Sequence, residues 1–212
     1  MSLAEYIDHT NLKPTASTAD IVNLCQEAKT FGFYAVCVNG CHVAFAKENL
    51  KNTPVKVAAV VGFPLGAMST KSKVFEAKDC LDNGADEIDM VLNIGWLKSN
   101  HDTEVRNEIQ AIKKAIGDKT LKVILETCYL TTDEKKRACT LAVEAGADYV
   151  KTSTGFGSAG ATFDDIILMK KMVGEKAKIK ASGGIKDKET ALKYIELGVS
   201  RIGTSSGPSL LK

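Results

Sequence analysis

The sequence predicts a (β/α)8 barrel, and three observations support this prediction. Eight short runs of mostly apolar residues alternate with amphipathic helical segments along the 212 residues. The average strand-and-helix unit is therefore about 26 residues long, the size of a compact repeat in such a barrel. Helix-ending glycines recur at intervals of about two units, as expected where alternate strands build alternate interior layers. An open doubly wound sheet is the alternative architecture.

The strand candidates are nearly continuous apolar runs, as parallel strands buried on both faces require. They cover residues 6–8, 35–38, 57–61, 88–92, 123–125, 149–151, 179–181 and 201–203. Two sets of residues show the helical apolar spacing: Ile21, Leu24, Cys25 and Ala28, and Ala138, Leu141, Ala142 and Ala145. The helix-ending glycines are Gly32, Gly84, Gly146 and Gly198, and the lysines that precede strands three, five and seven are Lys56, Lys122 and Lys178. No linker interrupts the pattern, so we expect one domain over residues 1–212.

The charge balance argues against a nucleic-acid or membrane partner. The chain has 28 Lys and Arg against 26 Asp and Glu, a formal net charge of +2. Proteins that bind nucleic acid or anionic membranes instead concentrate basic residues on one face. The N-terminus lacks the basic start and apolar run of a signal peptide, which predicts a cytoplasmic protein.

Cysteine and histidine spacing predicts neither disulfides nor a metal site. The six cysteines form no Cys-x-x-Cys pair and fall in apolar segments, so we expect reduced thiols in packed positions. The three histidines, His9, His42 and His101, are far apart and lack the spacing of zinc ligands.

Charged residues stand at equivalent places on several predicted strands. Cys37, Asp89, Lys151 and Gly203 each follow a helix-ending glycine by the same interval, and Lys180 lies on the neighbouring seventh strand. If these places face inward, a carboxylate and two ammonium groups meet at the strand ends, where the sites of such barrels lie. Two ammonium groups in a partly dry site repel, so one is pushed toward a neutral amine that attacks a carbonyl. A structural ion pair lining the barrel is the alternative.

Two glycine-rich loops predict a phosphate site. Residues 182–185 (Ser-Gly-Gly-Ile) follow strand seven, and residues 203–207 (Gly-Thr-Ser-Ser-Gly) follow strand eight. Glycine-rich turns that open short helices present backbone N–H groups, and hydroxyls add donors for a phosphate dianion. Barrels of this kind frequently bind phosphate with these two loops. Residues 155–160 (Gly-Phe-Gly-Ser-Ala-Gly) have the Gly-x-Gly-x-x-Gly spacing, but this motif does not come directly after any predicted strand, so nicotinamide binding is poorly supported.

Seven blocks, in order along almost the whole chain, resemble the 2-deoxyribose-5-phosphate aldolase family, Schiff-base (class I) aldolases on a (β/α)8 barrel. They are residues 7–10 with 12–14, 35–39, 61–66, 87–93, 150–155, 180–184 and 201–206. Among their motifs are Ile-Asp-His-Thr, Gly-Phe-Pro-Leu-Gly, Lys-Thr-Ser-Thr-Gly and Lys-Ala-Ser-Gly-Gly. Any one block alone would be weak; seven in order are highly specific.

The resemblance implies a role for each matching polar residue. Lys151 corresponds to the imine-forming lysine, Lys180 to the cation that keeps it nucleophilic, and Asp89 to the carboxylate that manages protons with a bound water. Asp8 and Thr10 correspond to residues that support Lys180 or the substrate hydroxyl. The substrate-binding positions on the phosphate side are Thr154, Gly183, Gly184, Ser205 and Ser206.

Two residues near the predicted site have two interpretations each. Cys37 matches a substrate-side cysteine near the family's lysine, although a packed small hydrophobe is its default role. Glu126, at the end of strand five, either hydrogen-bonds near the site or is structural.

The chain departs from some family members in two ways. Phe156 replaces a lysine, so one cationic phosphate contact is expected to be absent. The chain stops at Lys212, without the tyrosine-ended tail that some relatives use near the active site. Asp89 and water would then have to carry the proton transfer.

The activity implied by the resemblance is reversible cleavage of 2-deoxy-D-ribose 5-phosphate to D-glyceraldehyde 3-phosphate and acetaldehyde. It needs no metal and no other cofactor, because an iminium replaces the metal of other aldolases. The resemblance also suggests a homodimer. Two rivals remain: another phosphosugar isomerase or lyase on the same fold, and a catalytically silent phosphosugar-binding protein.

Overall fold

The computed structural model describes residues 2–212 and contains a closed barrel of eight parallel strands in chain order. The strands are β1 (Ile7–Asn11), β2 (Ala35–Val38), β3 (Lys56–Val61), β4 (Glu87–Val91), β5 (Thr120–Ile124), β6 (Tyr149–Lys151), β7 (Lys178–Ser182) and β8 (Arg201–Thr204). Strand β1 pairs with both β2 and β8, which closes the sheet. The (β/α)8 prediction is therefore confirmed, and the open doubly wound alternative is wrong.

Helices connect the strands and surround the barrel. They are α1 (Thr18–Phe31), α2 (Val43–Asn49), α3 (Thr70–Asp82), α4 (Ile94–Lys98), α5 (Asp102–Ile116), α6 (Thr132–Glu144), α7 (Phe163–Val173), α8 (Lys188–Glu196) and α9 (Gly207–Leu210). Capping boxes fix the starts of α1 and α6, at Ser17 and Thr131. Gly32 ends α1 in the left-handed conformation that glycine adopts without a Cβ clash, as the sequence predicted. No helix within residues 2–212 is both long and apolar enough to cross a bilayer.

Strand bounds differ from the prediction at two informative places. Tyr6 belongs to a 3-10 turn, Leu3–Tyr6, so β1 begins one residue later than predicted. Strand β5 begins at Thr120 and contains Lys122, which was predicted to precede it. Lys56 and Lys178 are exposed at the first position of their strands, whereas Lys122 is fully buried at the third position of β5. The three lysines are therefore not equivalent.

The strands separate two buried regions: one between the strands and the surrounding helices, and one inside the barrel. Their outward side chains pack against the helices in one large apolar core, which includes Val36, Ile88, Val123, Val150 and Ile202. Inside the barrel, β2 and β3 contribute a small apolar cluster of Cys37, Ala58 and Val60, joined by Leu12 from the loop after β1. The remaining strands fill the interior with charged side chains. Alternation of side chains across each strand produces this division.

All six cysteines are free, and their burial is uneven. Cys25, Cys37, Cys80 and Cys139 are buried, as predicted. Burial raises the pKa of Cys25 to about 11 and the pKa of Cys80 and Cys139 to about 12, so these thiols stay protonated. The packed position predicted for Cys41 is wrong: it lies exposed in the 3-10 turn Gly40–His42. Cys128 is partly exposed.

Candidate active site

A cavity of about 500 Å³ opens at the carboxyl ends of the strands. Its walls come from α1, the end of β1 and the loops after β6, β7 and β8. Lys151 lies in its lining and is only 2% exposed. The other predicted residues that line it are Thr10, Thr154, Gly183, Gly184, Ser205 and Ser206.

The structure brings together the three residues predicted to be catalytic. Lys151 Nζ donates a hydrogen bond to Asp89 Oδ2 at 2.9 Å, and Lys180 Nζ donates to the same oxygen at 2.8 Å. Asp89 and Lys180 are fully buried behind Lys151. The two ammonium groups therefore meet on one carboxylate oxygen in a site with almost no contact with solvent.

The order of the strands explains this meeting. Lys151 and Lys180 are register partners on the adjacent strands β6 and β7, so their side chains point to the same side of the sheet. Asp89 reaches them across the barrel from β4. On β8, Gly203 leaves the room that Lys180 needs, because a Cβ at this position would lie 3.1 Å from Lys180 Cε. A larger residue at Gly203 would therefore displace Lys180.

Asp8 holds Lys180 from below and does not line the cavity. Asp8 Oδ2 accepts from Lys180 at 2.5 Å, and Asp8 Oδ1 accepts from Arg201 at 2.7 Å. Burial alone would raise the pKa of Asp8, but Lys180 and Arg201 outweigh it and lower that pKa to about 2. Burial alone would likewise lower the pKa of Lys180, but the carboxylates of Asp8 and Asp89 outweigh it and raise that pKa. Lys180 is therefore a permanent cation beside Lys151.

Three charged residues that sequence reasoning missed complete this interior network. Lys122 Nζ lies 2.6 Å from both Asp89 Oδ1 and Glu87 Oε2. Arg201 reaches Glu87 Oε1 at 3.1 Å. Burial would raise the pKa of Asp89, but Lys122 and the other two lysines lower it well below its usual range. The missed signal was the two-residue period, since Glu87 precedes the inward Asp89 by two positions, and Arg201 likewise precedes Gly203.

Thr10 and Cys37 occupy different environments. Thr10 lines the cavity, and its hydroxyl donates to the backbone carbonyl of Asp8 at 2.8 Å. Cys37 is fully buried, packs with Ala58 and Val60, and does not itself line the cavity. Burial raises the pKa of its thiol more than the nearby Lys180 lowers it. The structure thus places Cys37 as a packed small hydrophobe.

Thr154 is fixed by Glu126. Its backbone N–H donates to Glu126 Oε1 at 3.2 Å, and its hydroxyl donates to Glu126 Oε2. The backbone N–H of Phe156 donates to the Thr154 hydroxyl at 3.0 Å. Glu126 is buried and has a positive φ of 54°, an uncommon conformation for this residue type. The hydrogen-bonding interpretation of Glu126 is the one that the structure shows.

The loops after β7 and β8 also line the cavity. Gly183 has a φ of 86°, and a Cβ on the neighbouring Gly160 would lie 2.1 Å from the Gly183 carbonyl oxygen. Only glycine fits this close crossing of two loops. The short helix α9 follows Ser206 as predicted, but no short helix follows Gly184. Instead the chain continues to α8, which is capped by Asp187.

Two further lysines line the cavity. Lys13 follows β1, and Lys186 follows Gly184 by two positions; both are exposed. Sequence reasoning gave them no role, although Lys13 lies in one of the matched blocks. Phe156 also lines the cavity, and its ring packs edge-on against Phe63 with centroids 5.4 Å apart. An aromatic pair therefore holds Phe156 at this part of the cavity wall.

His9 and Glu27 also line the cavity without having been predicted. His9 Nε2 lies 2.6 Å from Glu27 Oε2, and the ring packs against Phe33 with centroids 5.1 Å apart. This contact ties β1 to α1 beside the cavity. Within residues 2–212 no three His, Cys, Asp or Glu side chains are grouped as a metal site would require.

The arrangement provides a primary amine in a cavity, a permanent cation and a carboxylate beside it, and hydroxyl, amide and lysine donors elsewhere in the same lining. An amine so placed can form an imine with the carbonyl of a bound substrate. The hydroxyl, amide and lysine donors suit an anionic group of the same molecule. Such a cavity can combine covalent chemistry with anion binding.

Comparisons with known proteins agree with this geometry. A DeoC/LacD family aldolase model matches residues 3–211. The deoxyribose-phosphate aldolase of Thermococcus gammatolerans is 56% identical over 216 residues, spanning 100% of this chain and 96% of the relative. That of Finegoldia magna is 54% identical over 212 residues, spanning 100% of both chains. The tetrameric deoxyribose phosphate aldolase structure from Aeropyrum pernix superposes with a TM-score of 0.90 at 31% identity, over 99% of this chain and 89% of the other. The chain belongs to the DeoC/LacD aldolase family.

Proposed function

We propose that this protein is a Schiff-base aldolase that reversibly cleaves 2-deoxy-D-ribose 5-phosphate to D-glyceraldehyde 3-phosphate and acetaldehyde. The observation that carries the proposal is the shared oxygen of Asp89, which holds Lys151 and the permanent cation Lys180 together at the floor of the cavity. The names of the curated relatives supply the substrate.

Lys151 is the nucleophile in this mechanism. Its amine attacks the open-chain aldehyde at C1, and loss of water gives a protonated imine. The cation of Lys180 favours the neutral form of the neighbouring amine, because two adjacent ammonium groups repel in a site with little water. Asp89, whose Oδ2 is 2.9 Å from Lys151 Nζ, is the carboxylate nearest the reacting nitrogen, and its negative charge stabilises the iminium that forms there.

Cleavage then breaks the bond between C2 and C3. A base removes the proton of the C3 hydroxyl, C3 becomes the aldehyde of glyceraldehyde 3-phosphate, and the bonding electrons pass through C2 into the iminium to give an enamine. Asp89, acting through water with Lys180, serves this proton transfer. Protonation of the enamine at C2 and hydrolysis release acetaldehyde and regenerate Lys151. The iminium is the electron sink, so this route uses neither a metal nor a cofactor.

The phosphate is held at the far end of the cavity. Gly183, Gly184, Ser205 and Ser206 offer backbone and hydroxyl donors in the cavity lining. Lys186 and Lys13 add positive charge, which offsets the missing cation at Phe156. Binding of this remote group orients C1 toward Lys151 without taking part in the chemistry.

A coupled assay for acetaldehyde and glyceraldehyde 3-phosphate tests the proposal. We expect cleavage of 2-deoxyribose 5-phosphate with a higher kcat/KM than that of unphosphorylated 2-deoxyribose. A ligand-induced rise in Tm without release of acetaldehyde would instead support the silent phosphosugar-binding alternative. Conversion of the sugar phosphate to an isomer would support the isomerase alternative.

Assembly and location are also part of the proposal. The Aeropyrum pernix relative is described as a tetramer, which supports self-association of this fold, and we propose a homodimer for this chain. Light scattering after gel filtration measures it. We also propose a cytoplasmic location, which the free cysteines support and which fluorescence microscopy of a tagged chain measures.

A further inference from the structure

We propose that Lys122 is a positioning residue for the imine-forming step: through Asp89 it keeps the amine of Lys151 free of its proton. This inference rests on the proposed imine mechanism. Lys122 is fully buried, lies behind the cavity lining and would not touch the substrate. Its Nζ is 2.6 Å from Asp89 Oδ1, the oxygen that Lys151 and Lys180 do not use.

The two carboxylate oxygens of Asp89 are divided among three lysines. Lys122 takes one carboxylate oxygen, so Lys151 and Lys180 must share the other. Lys180 has a second carboxylate, Asp8, and Lys122 has a second carboxylate, Glu87. Among residues 2–212, Lys151 contacts no carboxylate except Asp89. Its ammonium form is therefore the least compensated of the three lysines.

The balance of charge in the whole barrel interior bears on the protonation of Lys151. The charged groups are Asp8 of β1, Glu87 and Asp89 of β4, Lys122 of β5, Lys151 of β6, Lys180 of β7 and Arg201 of β8. The titratable neutral groups around them are Cys37 of β2, Tyr149 of β6 and Tyr34, whose ring lies 3.5 Å from Arg201 Cζ; β3 presents Ala58 and Val60. Four cations thus face three anions.

These interior groups are buried, so an excess of one charge among them is unfavourable. An uncompensated positive charge in this interior is costly, and the loss of one proton makes the cluster neutral. Lys151 is the base that loses it, because it has the fewest partners and borders the cavity. If Lys122 were neutral, three cations would balance three anions with Lys151 still protonated. Lys122 therefore biases Lys151 toward the nucleophilic form.

The test is the pH dependence of kcat/KM for cleavage of 2-deoxyribose 5-phosphate, which reports ionisation of the free enzyme. In Lys122→Met we expect the ascending limb to move to higher pH by about one unit or more, because a single nearby charge shifts a neighbour by about 1–3 units. On the acidic side this is at least about a tenfold loss, recovered as pH rises. Lys122→Arg keeps the charge and is expected to keep the limb within a few tenths of a unit.

Glu87→Gln supplies the opposite change. It removes an anion from the same network, so we expect the limb to move to lower pH, and by less because Glu87 does not contact Lys151. This variant also decides the matter if Lys122→Met does not fold. The inference would be overturned if the ascending limb of the pH profile stayed in place in both Lys122→Met and Glu87→Gln, or if it moved in the same direction in both. Failure of the parent protein to cleave the substrate would instead overturn the proposed function, so the two failures are distinguishable.

Discussion

Two regions of the molecule bury charged side chains, and the pKa values of these side chains shift in opposite directions in the two regions. Outside the barrel, Lys73 of α3 and Glu108 of α5 form an isolated, fully buried pair with Nζ and Oε2 2.8 Å apart. Burial lowers the pKa of Lys73 and raises the pKa of Glu108 despite their mutual attraction. Inside the barrel the pKa of Asp89 is lowered and that of Lys180 is raised.

The number of partners explains the difference. Within residues 2–212, Lys73 and Glu108 have only each other as salt-bridge partners, and Glu108 Oε1 has no hydrogen-bond partner. One contact does not offset the cost of removing both charges from water. In the interior, Asp89 has three lysines, and Lys180 has two carboxylates. A network of several partners can thus stabilise buried charges in their ionised forms, which an isolated pair cannot. Within this network Lys151 has the fewest carboxylate partners.

The largest effect is expected for Lys151→Leu. It removes the nucleophile and leaves a balanced interior, so turnover should be lost while the fold is retained. The aldehyde-release assay and circular dichroism measure the two properties. Lys56→Leu is the matched control, because Lys56 is exposed at the start of β3. Similar turnover in the two variants would refute the role of Lys151.

Lys180→Met should lower kcat/KM at neutral pH by about 10²–10⁴-fold. Without Lys180, the amine of Lys151 has Asp89 Oδ2 to itself and keeps its proton. Stability should also fall, because Asp8 loses its contact at 2.5 Å. Lys178→Met is the control, since this exposed lysine begins the same strand. Steady-state kinetics that do not distinguish the two variants would show that the interior cation is dispensable.

Acid should destabilise the protein through the interior carboxylates. The pKa of Asp8 is lowered from 3.8 to about 2, so its contribution to stability is complete above about pH 4 and is lost as pH falls through 2. By proton linkage this contribution is about 2 kcal/mol. Urea denaturation between pH 5 and pH 2 measures it.

Asp8→Asn should flatten that dependence on pH. Asp133→Asn should not, because the Asp133 side chain is 90% exposed. If both variants kept the slope of the parent protein, the interior network would not be the source of acid sensitivity.

The smallest effect is expected for the isolated pair. Replacing both partners, in Lys73→Met with Glu108→Gln, should change the free energy of unfolding by no more than about 1 kcal/mol, because the pair hardly offsets its own desolvation. The single variant Lys73→Met should cost more, since it leaves Glu108 alone. Urea denaturation compares the two. A loss of about 3 kcal/mol or more in the double variant would show that the outer pair stabilises the fold as the inner network does.

The sequence was sufficient for the barrel because each strand is a mostly apolar run and helix-ending glycines recur about every two units. It also placed Lys151, Lys180 and Asp89 together, since strand order and equivalent positions along the strands determine which side chains meet. It failed at Lys122, which looks like the lysines at Lys56 and Lys178. Only the true start of β5, at Thr120, turns Lys122 inward.

The residues at the cavity wall were harder to predict for another reason. Lys186 and Glu27 reach the cavity from a loop and a helix, and their positions depend on packing between elements far apart in the chain. No spacing rule within one strand reports such contacts. The sequence correctly placed Asp8 beside Lys180. It did not predict that Asp8 lies outside the cavity lining, where it accepts hydrogen bonds from the buried cations Lys180 and Arg201.

The most direct test of the central claim is reductive trapping with borohydride in the presence of 2-deoxyribose 5-phosphate or acetaldehyde, followed by mass spectrometry of the digested protein. We expect one covalent adduct, on Lys151, in proportion to the activity lost, and none on Lys180 or Lys122. An active protein that carries no adduct, or an adduct confined to another lysine, would contradict the account.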